Sequence, residues 1–176
     1  AAGAGEVTGE VNADAAAHGD VVVLTVPLAA QVATLKDIRG ALRSGTILVD
    51  ATVALEVAIG GRLSRTLSLW DGSAAQQAAR LVPEGVKVVA AFQMLSAEAL
   101  ARLDDPVECD ALICGDDVGA KAVVAELARS IAGVRAVDAG PLENARLVES
   151  AAALLVAVNL RNKVKGSGIR ITGVTP

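Results

Sequence analysis

Short runs of β-branched residues alternate along this chain with longer alanine-rich stretches whose apolar positions recur every three or four residues. Val21 to Val26 is apolar almost throughout and closes at Pro27. A run without polar alternation predicts a strand covered on both faces, as in a parallel sheet. Leu28 to Leu42 follows with Val32, Leu35, Ile38 and Leu42 at helical spacing, then Gly45, then a second strand-like run, Thr46 to Asp50. This predicts a β-α-β unit, which joins parallel strands by a right-handed crossover. The rhythm continues with strands at Val86 to Phe92, Glu108 to Cys114 and Val134 to Asp138. Between them lie a helix from an N-cap at Ser73 to about Leu81, a short one from Ser96 to Leu103, and one from Val118 to Ile131 after Gly115-Asp116-Asp117. Gly140-Pro141 opens a long helix over 142–164, and Gly166-Ser167-Gly168 breaks it before a short tail, 165–176. Two stretches are less regular. Ala51 to Leu69, interrupted by Gly60-Gly61, reads as a loop with mobile parts, and Val7 to Asp20 reads as a lead-in helix capped by Asn12 or Asp14. The fold class is α/β: one Rossmann-like domain over 1–176, a doubly wound, mostly parallel sheet with a long C-terminal helix.

Composition narrows the chemistry. Apolar residues make up 53% of the 176 residues and aromatics 1%, a balance that disfavours a β-sandwich. The net charge is −4 and no basic cluster exceeds the three cations of Arg161 to Lys165, so nucleic acid is not an expected partner. The apolar stretch Ser150 to Leu160 is 11 residues long; a membrane span needs roughly 20. The first residues lack the basic start and apolar core of a signal peptide, and a cytoplasmic location follows by default. Cys109 and Cys114 lie five apart in the fourth predicted strand, on opposite faces, and are expected as buried thiols. His18 is the sole histidine, so no Cys/His or Ser/His pair can be assembled for nucleophilic catalysis. Asp116 and Asp117 are expected to cap a helix rather than to bind a metal. Glu143, Arg146 and Glu149 are expected as a solvated or interfacial charge row on the last helix.

Three pieces of sequence carry a resemblance. The first is Val7-Thr8-Gly9 through Ala13-Asp14-Ala15 into Val23 to Pro27, and the second is Cys114-Gly115-Asp116-Asp117 before an amphipathic helix. The third and most discriminating runs from Asp138-Ala139-Gly140-Pro141-Leu142-Glu143-Asn144 through Ala145-Arg146-Leu147-Val148-Glu149-Ser150. From Val7 to its end the chain resembles the NADP-dependent reductases of the deazaflavin coenzyme F-420. The resemblance implies hydride exchange between NADP(H) and coenzyme F-420, both held as small-molecule cofactors. Such chemistry needs neither nucleophile nor metal, because the two rings carry the reactive atoms and the protein stacks them. The family pattern begins with a strand, a glycine-rich turn that grips the pyrophosphate and a second strand, roughly 45 residues that precede the matching part, so the chain is expected to be N-terminally incomplete.

The candidate cofactor-binding residues follow from the carboxyl ends of the strands and from the resemblance. Thr25 and Pro27 end the first strand, and Asp50 ends the second, at the edge where open α/β sheets bind ligands. By resemblance Leu28, Val32 and Leu55 line the NADP side. Gln93, Met94, Leu95 and Ala97 are implied between nicotinamide and deazaflavin, where family members read His-Thr-Ile-Pro-Ala. Ser150 is implied on the deazaflavin side, and Ser167 and Gly168 as backbone contacts to it. Pro27 and Asp50 serve equally as strand end and turn former, and Met94 and Leu95 as core. The apolar positions Leu147, Ala151, Leu154, Leu155 and Val158 predict either core packing or the contact of a homodimer. A related imine or ketone reductase, or a non-catalytic Rossmann-type module, is the alternative reading.

Overall fold

A computed structural model describes residues 7–174. Its elements in chain order are α1 (Asn12–His18), β1 (Val21–Leu24), α2 (Leu28–Ile38), β2 (Ile47–Asp50), α3 (Ala74–Leu81), β3 (Lys87–Ala90), α4 (Ala97–Leu100), β4 (Asp110–Gly115), α5 (Val118–Arg129), β5 (Arg135–Asp138) and α6 (Ala145–Asn162). The five strands form one sheet in the order β1-β2-β3-β4-β5. β1, β2 and β3 run parallel, in the register Leu24 to Asp50 to Ala90. β4 runs antiparallel to β3 through Val89–Gly115 and Ala90–Cys114, and β5 runs parallel to β4. The chain is therefore a mostly parallel, Rossmann-like α/β fold with a long C-terminal helix.

β2 and β3 lack alternation because they are covered, with Leu48, Val49, Asp50 and Val88, Val89, Ala90 all buried, whereas β1, expected to be covered on both faces, lies at the end of the sheet and leaves Val23 46% exposed. The reversal at β4 has a local cause. The chain leaves β3 through Ala91 and turns back at once, with the Leu95 N–H donating to the Phe92 carbonyl. The only helix between β3 and β4 is the single turn α4, so no crossover returns the chain to the far end of the sheet. Phe92 takes φ 72° in that turn, the left-handed region a bulky residue rarely occupies.

Several expected boundaries shift. The last helix does not start at 142: Leu142–Asn144 is a turn of 3-10 helix, and α6 runs from Ala145 to Asn162, ending at Lys163 in the left-handed conformation. α1 starts at Asn12 with Val11 before it, and neither Asn12 nor Asp14 caps it by a side chain. α2 stops at Ile38, where the chain turns through Gly40. Cys109 precedes β4 instead of lying in it, and both cysteines are buried and free. The irregular 51–72 stretch has structure of its own, a 3-10 turn at Glu56–Ile59 and a bridge between Leu55 and Thr66. Ser73, Ser96 and Asp117 cap α3, α4 and α5 as expected.

Candidate functional site

The carboxyl ends of β1, β2 and β3 lie side by side and are stitched together just past the sheet. The Ala51 N–H donates to the Leu24 carbonyl at 3.1 Å and the Ala91 N–H to the Asp50 carbonyl at 3.2 Å. The Gln93 Nε2 donates to the same Asp50 carbonyl at 3.0 Å, and the Thr52 hydroxyl donates to the Val26 carbonyl at 3.4 Å. This edge presents Thr25 and Pro27 to solvent, with Leu28, Val32, Leu55 and Gln93 half-buried behind them. Gln93 Oε1 is buried without a hydrogen-bond partner among the described residues. A buried acceptor left unpaired is costly, and a donor on a bound molecule would satisfy it.

Asp50 is fully enclosed, at 0% exposure, and does not face the crevice. Its carboxylate accepts from Gln31 Nε2 at 2.6 Å and from the Thr52 N–H at 2.9 Å. Burial pushes its carboxyl above the usual range, against those hydrogen bonds. Its contribution to the edge is to fix the turn Ala51–Thr52, and its backbone carbonyl is what meets Gln93.

A second group forms under the C-terminal tail. The Ser96 hydroxyl donates to the Lys165 carbonyl at 3.0 Å, and the Ile169 carbonyl accepts from the Asp110 N–H at 2.8 Å. A Cβ at Gly168 would stand 2.9 Å from the Glu108 carbonyl oxygen and 3.0 Å from Cys109 Cβ, so only glycine lets the tail lie this close. The tail thus lies against Ser96 at Lys165 and Gly166, and against Glu108 and Cys109 at Gly168. The side chains of Met94 and Leu95 are buried in the core, so a ligand would meet the backbone of the Met94–Ala97 segment. Ser167 Oγ is a further buried polar atom without a partner among the described residues. Asp110 anchors the tail. It accepts from Arg135 Nε and Nη2 at 2.7 and 2.6 Å, from Arg170 at 3.2 Å and from the Ile171 N–H at 2.7 Å. The Arg135 hydrogen bonds hold its carboxyl down to about 2.

The residue that sequence reasoning misplaced is Glu149. It is not part of a surface row. It is 3% exposed and accepts from the N–H groups of Ala54, Ala74 and Ala75 at 3.2–3.3 Å. Desolvation pushes its carboxyl up to about 7 in spite of these three donors, with the Asp50 charge adding to the rise. Glu143 and Arg146 alone keep the surface pairing, at 3.7 Å. A cavity of about 300 Å³ between α6 and the 66–72 stretch is lined by Arg146, Glu149 and Ser150 on one side and by Leu67, Leu69 and Gly72 on the other. Ser150 borders it but turns its hydroxyl to the Arg146 carbonyl at 2.7 Å.

The Asp138–Ser150 motif is mostly structural. Asp138 accepts from Lys121 and from the Gly140 N–H, both at 2.8 Å. Gly140 takes φ 96°, and a Cβ there would meet Asn144 Nδ2, which donates to the Ala139 carbonyl at 2.7 Å. Asp116 accepts from the Leu142 N–H at 2.9 Å, as a turn partner. Among the described residues no group of three His, Cys, Asp or Glu side chains could hold a metal ion. No helix there is long and apolar enough to cross a membrane.

An open carboxyl edge on a Rossmann-like sheet is the place where α/β folds of this form bind their ligands. No protein-family model matches the sequence. The chain is 51% identical over 169 residues to the F420-dependent NADP reductase of Methanothermobacter thermautotrophicus, covering 96% of this chain and 72% of that one. To the F420-dependent NADP reductase of Methanocaldococcus jannaschii it is 44% identical over 96% of this chain and 75% of the relative. The crystal structure of a candidate F420-dependent NADP reductase from Arthrobacter sp. matches with a TM-score of 0.80 over 93% of this chain and 74% of that one, at 24% identity, a likeness of fold. The chain belongs to the F420-dependent NADP reductase family.

Proposed function

We propose that the protein exchanges hydride reversibly between NADP(H) and the deazaflavin coenzyme F-420. The reading is carried by the family relationship over nearly the whole chain, supported by the two segments that meet at the sheet edge. The two bound rings supply the hydride chemistry, and the chain's own residues bind, orient and exclude water. In this reading Thr25, Pro27, Leu28, Val32 and Leu55 form the NADP side. Asp50 shapes that edge from within. Gln93 offers its unpaired Oε1 to a donor on the bound nucleotide or deazaflavin. The backbone of Met94, Leu95 and Ala97, with Ser167, Gly168 and Ser150, forms the deazaflavin side.

The protein acts in this proposal as a cytoplasmic homodimer. Two unpaired thiols agree with a reducing compartment. The exposed apolar residues Leu147, Leu154 and Val158 on α6 agree with a self-contact. The test of the activity is direct. Purified protein with NADPH and oxidised coenzyme F-420 is expected to remove the visible absorbance of the deazaflavin, and excess NADP is expected to restore it. Turnover with an imine or ketone substrate and none with the deazaflavin would replace this reading.

A further inference from the structure

We propose that Glu149 is a positioning residue for the crevice: its carboxylate holds both ends of the β2–α3 connection and so sets where that connection stands over the nucleotide side. The inference rests on the proposed function for what the crevice binds, but the geometry that carries it is independent of the ligand.

The connection leaves the sheet edge at Ala51 and re-enters the fold at Ala74. At the outgoing end Glu149 Oε2 accepts from the Ala54 N–H at 3.3 Å. At the returning end the same oxygen accepts from the Ala74 N–H at 3.2 Å, and Oε1 accepts from the Ala75 N–H at 3.3 Å. Between these points the chain folds as a narrow hairpin. The Leu67 N–H donates to the Ala54 carbonyl at 2.7 Å, and the Glu56 N–H donates to the Arg65 carbonyl at 2.8 Å. Ala54 is therefore the residue at which the hairpin is closed and also the residue that Glu149 seats.

The hairpin has polar ties of its own, Glu56 pairing with Arg65 at 3.5 Å and accepting from the Arg62 N–H at 3.4 Å, and Asp71 pairing with Arg80, but its large apolar side chains do not anchor it. Val57, Ile59, Leu63 and Trp70 are all exposed, Trp70 at 98%. Leu55, half-buried at its base, directly follows the Ala54 that Glu149 holds and is a proposed NADP contact. The anchor is backed by a second layer. Gln31 Nε2 donates to the Ala74 carbonyl at 3.0 Å as well as to Asp50, and Gln77 Nε2 donates to Gln31 Oε1 at 2.7 Å. One buried polar network thus ties α2, β2, the connection, α3 and α6. Within it, Gln31 joins Asp50 to the Ala74 carbonyl, and Glu149 joins the Ala54 N–H to those of Ala74 and Ala75. A carboxylate suits the position because all three partners are donors.

The test is Glu149→Gln, which keeps the shape and turns one acceptor into a donor facing an N–H. Amide hydrogen exchange is expected to rise over residues 54–75 and to stay unchanged in β4 and β5. At pH 8, where Glu149 carries its charge, the KM for NADPH is expected to rise about tenfold, the loss of one charge-assisted hydrogen bond, with kcat at saturating NADPH largely kept. Glu149→Asp, which keeps the charge and shortens the reach, is expected to fall between wild type and Glu149→Gln, and it serves where the first variant does not fold. Unchanged exchange over 54–75 would overturn the proposal, as would a loosened connection with an unchanged KM. A wild-type protein without deazaflavin turnover would defeat the proposed function alone, because exchange and NADPH binding still read the role of Glu149.

Discussion

Glu149 also makes a prediction about stability. Its carboxyl titrates ordinarily at 4.5 and at about 7 in the fold, because burial disfavours the charge more than the three N–H groups favour it. The folded state therefore holds a proton in a range where the unfolded state has released it. Stability is full below pH 4.5, falls as pH rises and levels off above about 7, a decline of about 3 kcal/mol from this group. Denaturant unfolding at pH 5 and pH 8 checks the sign, and Glu149→Gln is expected to flatten that slope. At Gly168 the argument is steric. A Cβ 2.9 Å from the Glu108 carbonyl oxygen meets backbone that cannot rotate away. Gly168→Ala is expected to cost about 2 kcal/mol in thermal unfolding. If the tail forms the deazaflavin side, the KM for coenzyme F-420 rises while that for NADPH does not.

Among the elements, the C-terminal tail depends on one carboxylate. Asp110 is fully buried and accepts from Arg135 Nε and Nη2, from Arg170 and from the Ile171 N–H. Its lowered carboxyl contributes stability that is present above the ordinary value of 3.8 and lost as pH falls through about 2. Asp110→Asn leaves two guanidinium groups without their counter-charge and is expected to cost about 3 kcal/mol, read by denaturant unfolding at neutral pH. Cleavage of residues 165–174 by a nonspecific protease is expected to speed up in the same variant. The strands were legible in the sequence because β2 and β3 are covered on both faces, and burial of that kind leaves a continuous apolar run. The direction of β4 was not legible. It depends on the tight turn at Phe92, a bulky residue in a conformation its type argues against. Glu149 was misread because a spacing of three with Glu143 and Arg146 looks like a charge row. Its other neighbours told more: Ala145, Val148, Ala152 and Ala153 surround it on the buried face of α6. Periodicity names the face, and only the fold supplies the N–H groups that make a carboxylate tolerable there.

At the scale of the whole molecule, α6 carries two apolar faces where one would suffice for a surface helix. Ala145, Val148, Ala152 and Leu155 are spent on the core. Leu147, Ala151, Leu154 and Val158 recur three or four residues apart on another side, with Leu147 and Leu154 at 57% and 60% exposure. Single exposed leucines are ordinary, and the proposed homodimer would use this row, extending over several turns of one helix, as its contact. A second copy fits such a row, because two identical helices crossing about a twofold axis place each apolar side chain against its counterpart. Small Ala151 near the middle of the row would let the two backbones approach closely. Leu154→Glu puts two like charges near that axis and removes apolar area, while leaving the buried face and Glu149 untouched. Sedimentation at micromolar concentration is expected to give a dimer for the wild type and a monomer for Leu154→Glu, with near-UV circular dichroism unchanged. A wild-type monomer would remove the homodimer, and a dimer that survives Leu154→Glu would move the interface off α6.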